Sequence, residues 1–565
     1  MNRHLFPSVP NSARRSGGRA ARRTVRAAPL AEELRPIRAG LAGGQYRPLD
    51  DAAVKAIDDA VYQILEEIGL SQAPETGVEY MTAVGAIAGD DGRVRFPRAL
   101  VDDTLAKAAR DITLHGQDPR HDLLLSGSRV HYGTAGAAVH VVDVEGNTYR
   151  ESYLADIYDA ARIVEKMDNI HFFQRPMVAR DITEPDALDL NTVYAAVKGT
   201  TKHVGTSFTE APFVAPAIAM LHDIAGGEDK WRERPFVSNS NCFVVPPLRF
   251  ATESCQVMEE AVKAGMPVLL LSAGQAGATA PAAIAGAIAQ ALAEVIAGLV
   301  YVNAMKPGHP CIVGTWPFVS DLRTGAMSGG SGEQGLLTAA CAQMLQHYKL
   351  PGGAASGMAD AKMPDAQSGY EKGSTLVMAG LSGLNMVYEA AGMHASLLGF
   401  CLESLIIDND MLGQCLRCVR GIEVNDATIG IEVMKDVCMG GPGHYLGHDQ
   451  TIGLMQTEYV YPDLSDRSSP KEWEELGKPD LVAEAVKRKM QILSDFHPQH
   501  IPADLDAHLR ATYDIRLACP LVLRRKAGII KARIALYLER CAGLLYCAGH
   551  CTATRKGASH VSGAT

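Results

Sequence analysis

PVLLLSAG at 267–274, PAAIAGAIAQALAEVIAGLVYVN at 281–303 and PCIVGTWPF at 310–318 read as strand, helix and strand in succession. The outer two are short apolar runs rich in Val, Leu and Ile without polar alternation, the pattern of strands buried on both faces. The middle run is Ala- and Gly-rich and is interrupted by Gln290 and Glu294, which fits a closely packed buried helix rather than a membrane span. Outward from this stretch the same alternation recurs. Strand-like runs fall at 169–177, 203–209, 235–245, 352–358 and 385–392, with a final candidate at 399–408. Helical runs fall at 185–198, 212–225, 251–264, 332–347, 366–381 and 409–420. Evenly spaced strand–helix units imply parallel strands with right-handed crossovers, and eight of them close most naturally into an α/β fold of the (β/α)8 TIM type. A doubly wound open sheet is the alternative.

The flanks differ in kind. Residues 1–45 form an Arg-rich arm, expected to be flexible. Residues 46–167 carry helical periodicity, with Asp50 or Asp51 as N-cap and Gly69 as a stop, followed by a β-hairpin turning at Glu145-Gly146-Asn147. The barrel is assigned to 168–420, a helical appendage to 421–515, and a basic, Cys-rich tail of unassigned role to 516–565.

A net charge of −10 conceals an asymmetry: residues 1–40 carry +7 and residues 516–565 carry +8, which leaves −25 on the body between them. An acidic body repels phosphate backbones, so nucleic acid is excluded as a partner of the core. The 12 cysteines show no paired spacing, which reads as a reducing, cytoplasmic setting with no disulfide framework. The Arg-rich start lacks the apolar stretch of a secretory signal, and no membrane association is expected.

A barrel carries its chemistry at the carboxyl ends of its strands. Those ends hold Ser207-Phe208-Thr209-Glu210, Asn239 and Asn241, Ser272 to Gln275, Thr315-Trp316-Pro317-Phe318, Met358 to Lys362, and Tyr388-Glu389. Three short motifs carry less. Gly330-Ser-Gly-Glu-Gln-Gly335 matches a dinucleotide fingerprint in letters but lies too far from its strand, and reads better as a loop capping a helix. His444 and His448, with Cys438 nearby, have helical zinc spacing, but Gly441-Pro442-Gly443 places them in a loop, and no metal site is assigned. Asp495-Phe-His497 begins like a corrinoid-binding signature, yet the required Gly is absent.

Longer motifs carry a resemblance. Ser328-Gly-Gly-Ser-Gly-Glu333-Gln, Asp360-Ala-Lys-Met-Pro-Asp365-Ala-Gln-Ser-Gly-Tyr370-Glu371, Ile407-Asp408-Asn-Asp410 and Gly443-His-Tyr-Leu-Gly-His448-Asp-Gln-Thr occur in order. Together they resemble the trimethylamine methyltransferase family, over roughly residues 15–515. The resemblance implies a barrel and methyl transfer from a methylated amine to the Co(I) of a corrinoid carried by a separate protein, with no corrinoid bound tightly by this chain; a homo-oligomer is compatible with it. Archaeal trimethylamine enzymes of the family carry pyrrolysine, whereas this sequence holds only standard residues, as in the branch resembling glycine betaine methyltransferases. A quaternary amine such as glycine betaine is therefore the expected substrate. Trimethylamine, a metal-dependent lyase or hydrolase reaction, and non-catalytic binding of a quaternary amine are the alternatives. Glu333 and Asp360 are the candidate catalytic residues. Trp316, Phe208 and Tyr370 are the candidate aromatic contacts, with Asn241 and His448 as polar contacts.

Overall fold

The computed structural model describes residues 30–518. The Arg-rich start before residue 30 and the basic tail from 519 lie outside the described residues. The chain builds a mixed α/β structure around one curled nine-stranded sheet. Its strands are β1 Leu41–Ala42, β2 Arg129–Tyr132, β3 Phe173–Gln174, β4 Val204–Thr206, β5 Val237–Asn241, β6 Val268–Ser272, β7 Cys311–Thr315, β8 Gly352–Ala355 and β9 Met386–Tyr388, in the order β1-β2-β9-β8-β7-β6-β5-β4-β3. Every pairing is parallel except β1 with β2.

The sheet curls until strands from its two sides meet. A parallel bridge joins Gly133, just past β2, to Phe172, just before β3. The His171 amide donates to the Tyr132 carbonyl at 2.7 Å beside it. Along the helices, α1 spans Asp51–Gln63, α2 Leu154–Glu165, α3 Pro185–Gly199, α4 Val214–Ala225, α5 Thr252–Lys263, α6 Ile284–Met305, α7 Gly332–Tyr348, α8 Ala366–Leu381, α9 Leu402–Arg420 and α10 Leu481–Asp495. Their starts follow from local chemistry. The side chains of Asp50, Ser331 and Asp365 accept from the amides of Ala53, Gln334 and Ser368 and cap α1, α7 and α8. Helix α6 is the long apolar run of the sequence, buried along most of its length between the sheet and α1.

Seven of the eight strand-like runs lie where the alternation places them. The last does not. Within 399–408 only Gly399–Phe400 is extended, and it pairs with His140–Asp143 of the hairpin; the rest of the run is already α9. Leu402, Leu405, Ile406 and Leu412 are buried along that helix, so a run apolar enough for a strand is the packed face of a helix. The strand that completes the parallel set is β2, whose Met386↔His131 register places it beside β9. It precedes the expected hairpin, which forms between His140–Asp143 and Thr148–Glu151. Residues 41–42, inside the stretch expected to be a free arm, are instead anchored by the β1–β2 ladder, Leu41 opposite Val130.

A buried ion pair locks the later helices together. Lys372 on α8 donates to Asp408 on α9 at 2.7 Å, both side chains almost without exposure, and Asp408 also accepts from the Gly392 amide at 2.8 Å. A pair this deep holds only because both charges are satisfied, and removing one leaves the other stranded.

Candidate active site

Side chains two apart on a strand share a face. The Tyr132 hydroxyl on β2 donates to the Leu376 carbonyl of α8, and Ser272 on β6 donates to Glu294 of α6, so those faces look outward to the helices. Residues of opposite parity look into the curl: Gly133 after β2, Gly314 on β7, Gly353 on β8 and Tyr388 on β9. The register Gly314↔Gly353↔Met386 and Ala355↔Tyr388 carries Trp316, just past β7, to the same level as Tyr388. Their rings meet there. Trp316 and Tyr388 have centroids 4.9 Å apart, and Phe172 sits edge-on to Tyr388 at 5.1 Å.

Glycine makes room for these rings. A Cβ at Gly133 would lie 2.4 Å from the Phe172 ring, and one at Gly353 would lie 2.5 Å from Cε2 of Tyr388. Neither position has space for a side chain while the cluster stands.

Glu389 follows Tyr388 directly. It has φ +61, the left-handed region that costs a side-chain-bearing residue free energy and gathers at functional sites. Its side chain is 1% exposed, Oε2 is buried without a partner, and among the described residues no donor reaches the carboxyl. Burial alone pushes it up to about 8. Cys242, two residues past the inward-facing Ser240, has open surface, yet burial among protein atoms pushes its thiol up to about 11, with the Glu389 charge adding to the shift. Surface that is accessible but enclosed describes a recess, and Glu389 shares it. The Trp316 Nε1 is also buried without a partner, whereas Asn241, whose Oδ1 is likewise unpartnered, lies opposite Leu270 on the outward parity of β5. Native proteins leave few such groups unsatisfied, and an unpartnered carboxyl and indole N–H at an aromatic wall mark a place where a ligand supplies the missing contacts.

The residues singled out from sequence fall into two groups. Trp316 is in the aromatic cluster. Phe208 and Asn241 are buried and joined, the Asn241 amide donating to the Phe208 carbonyl at 3.4 Å. Asp360 is a loop staple: it accepts from the Ser328 hydroxyl at 3.0 Å, the Gly329 amide at 2.8 Å and the Ser396 hydroxyl at 2.7 Å. Glu371, on α8, does the same work, taking the amides of Asp360 at 2.7 Å and Ala361 at 3.1 Å and the Gln367 side chain at 2.7 Å. Glu333 is exposed in the first turn of α7, and Tyr370 is 66% exposed on α8. His448 caps a short helix, Asp449–Leu454, its Nδ1 accepting from the Gln450 amide at 3.1 Å. Glu389 and Tyr388 had a signal in the sequence, their position at a strand end. Phe172 had none, because the bridge that brings it to Gly133 is a long-range pairing.

Against known proteins, the sequence matches the trimethylamine methyltransferase (MTTB) family over residues 15–518. It is 30% identical over 473 residues to the trimethylamine methyltransferase MttB of Desulfitobacterium hafniense (strain DSM 10664 / DCB-2), covering 84% of this chain and 93% of that one. It is 28% identical over 468 residues to the glycine betaine methyltransferase of Desulfitobacterium hafniense (strain Y51), covering 83% and 96%. A trimethylamine methyltransferase MttB of Methanosarcina barkeri is 30% identical over 474 residues, covering 82% and 91%. The chain belongs to the trimethylamine methyltransferase family.

As a methyltransferase of this family, it uses several of its motifs as scaffolding. In Ile407-Asp408-Asn-Asp410, Asp408 holds Lys372, and Asp410 accepts from the amides of Asp463, Leu464 and Ser465 at 3.0, 2.8 and 2.9 Å, tying the chain beyond α9 to that helix. In the Ser328–Gln334 motif, Gln334 clamps the loop after β7, accepting from the Val319 amide at 3.1 Å and donating to the Pro317 carbonyl at 3.0 Å. That clamp holds the segment carrying Trp316.

Proposed function

We propose that this chain moves a methyl group from a quaternary amine of the glycine betaine type to the Co(I) of a corrinoid carried by a separate protein. The observation that carries the reading is the Trp316–Tyr388–Phe172 cluster beside Glu389. A quaternary ammonium presents no N–H to donate, so it is held by aromatic faces and by a negative charge rather than by hydrogen bonds, and desolvation strengthens both. Family membership supports the reaction class, and relatives named for trimethylamine and for glycine betaine support a methylated amine. The absence of any residue outside the standard twenty favours the quaternary substrate, whose neutral amine leaves readily once the methyl is taken.

In this reading the curled sheet is a (β/α)8 barrel: β2 to β9 are its eight staves and the Gly133–Phe172 bridge is the closing seam. The recess then opens at the carboxyl ends of the strands. Trp316 and Tyr388 hold the methylated nitrogen and Glu389 balances its charge. Asp360 and Glu371 keep the neighbouring loops in shape. When docked, the corrinoid protein supplies a nucleophilic cobalt. The enzyme's own contribution is orientation, one N–CH3 bond pointing out of the recess, and exclusion of water. The bond from nitrogen to the methyl carbon breaks with its electron pair staying on nitrogen, so the product amine leaves neutral.

A spectral assay with Co(I) corrinoid protein or free cobalamin and a panel of methylated amines tests this. Methyl–cobalt is expected with a quaternary amine and to a lesser extent, or not at all, with trimethylamine. A folded enzyme that forms none across the panel sinks the proposal.

A further inference from the structure

The recess holds a carboxyl group that folding leaves without a partner. We propose that Glu389 is the counter-ion that admits a fixed-charge ammonium group and gives its proton to solvent when that group enters. The inference rests on the amine methyltransferase reading above and adds what selects the substrate and how charge is balanced during the cycle.

Three observations carry it. First, Glu389 has no hydrogen-bond donor among the described residues, whereas Glu371 takes three and Asp360 takes three. A buried carboxylate with nothing to stabilise it stays protonated, and burial does hold this one neutral until about pH 8. Second, its backbone is in the left-handed region, so the surrounding structure pays to aim this side chain away from the course of the strand. Third, its surroundings are those of a cation site. Tyr388 is its chain neighbour, Trp316 lies against Tyr388, and both rings face into the curl. Among the described residues the titratable group that feels the Glu389 charge is the Cys242 thiol, which burial holds protonated, and the phenol of its chain neighbour Tyr388 is likewise kept protonated by burial. Among the described residues burial is the one influence on Glu389 itself, and no lysine, arginine or histidine supplies it with a charge.

The consequence is a coupled cycle. A fixed positive charge entering the recess favours the carboxylate, so the proton leaves and the pair forms. Methyl transfer removes the positive charge from nitrogen. Glu389 then faces a neutral amine in a dry recess, takes a proton back from solvent, and no longer holds the product. Substrate and product differ by one charge, and Glu389 converts that difference into a difference in binding.

Calorimetric titration of the full-length enzyme with tetramethylammonium, the charged head common to quaternary substrates, tests this without any variant. In two buffers of different ionisation enthalpy at pH 7, about one proton is expected to leave per cation bound. Affinity is expected to rise about tenfold per pH unit below about 8 and to level off above it. In the variant Glu389→Gln, proton release and the pH slope both vanish while the fold, read by circular dichroism, is kept. Glycine betaine and its isostere 3,3-dimethylbutanoate, which lacks the ammonium charge, give a second reading: the first releases a proton and the second does not. Binding of the cation with no proton released and no pH slope overturns the inference, as does no binding at millimolar concentration. Proton-coupled binding of the cation with no methyl transfer to any corrinoid would instead overturn the methyltransferase reading of the site and leave Glu389 as its counter-ion.

Discussion

A carboxyl pair and a single carboxyl, following the adjacent strands β8 and β9, behave in opposite ways. Asp360, between β8 and α8, and Glu371, on α8, are saturated: six donors reach the pair, several of them backbone amides. Glu389, at the end of β9, receives none among the described residues and is buried more deeply than Asp360. The saturated pair fixes the path of two loops, because an amide that donates to a buried carboxylate costs more to break than to keep. The empty one fixes nothing in the protein and is held at a strained backbone position. Motif membership favours Asp360, with Glu333, as catalytic residues; hydrogen-bond satisfaction favours Glu389 as the residue that waits for a ligand.

The contrast can be broken in four ways. The largest effect is on stability against pH. Glu389 in the folded chain is raised from its ordinary 4.5 to about 8, so its contribution is full below about 4.5 and is lost as pH rises through about 8, up to about 5 kcal/mol in all. Thermal melts of the ligand-free enzyme between pH 5 and 9 should show this loss, and Glu389→Gln should flatten it; parallel curves for the two proteins would mean that Glu389 is solvated. Next, Asp408→Ala strands Lys372 in the core and should lower stability by about 4 kcal/mol in denaturant unfolding. A loss near zero would show that the pair is not buried in solution. Third, Trp316→Ala removes one face of the aromatic wall, about 2 kcal/mol of cation contact or roughly 30-fold in kcat/KM, while Cys415→Ala, behind the sheet on α9, should leave turnover nearly unchanged. Equal effects would place the site elsewhere. Last, Asp360→Ala should cost about 1.5 kcal/mol of stability through the three donors it abandons, with KM moving less than under Trp316→Ala. A larger loss of turnover than for Trp316→Ala would return Asp360 to the chemistry.

Much of this arrangement is legible in the chain itself. The apolar runs at 267–274, 310–318 and 385–392 are strands because Val, Leu, Ile and Met without polar alternation can be buried on both faces, and the structure has β6, β7 and β9 there. Trp316 and Tyr388-Glu389 are identifiable as strand-end residues from that alternation alone. The run at 399–408 misleads because a short apolar stretch satisfies either period, and length alone distinguishes them: α9 continues for 19 residues.

What the sequence by itself determined is local: the strand–helix alternation, the caps at Asp50, Ser331 and Asp365, and the family motifs. Tertiary structure decided the rest, because each item depends on residues far apart in the chain. β2 joins the sheet through register with β9, some 255 positions away. Phe172 reaches Tyr388 only because the curl brings the sheet's two sides together at Gly133. Which carboxyl is satisfied and which is left bare is a count of donors, and those donors come from other loops. A sequence lists the acids; only the folded chain shows which of them the protein has left for something else to bind.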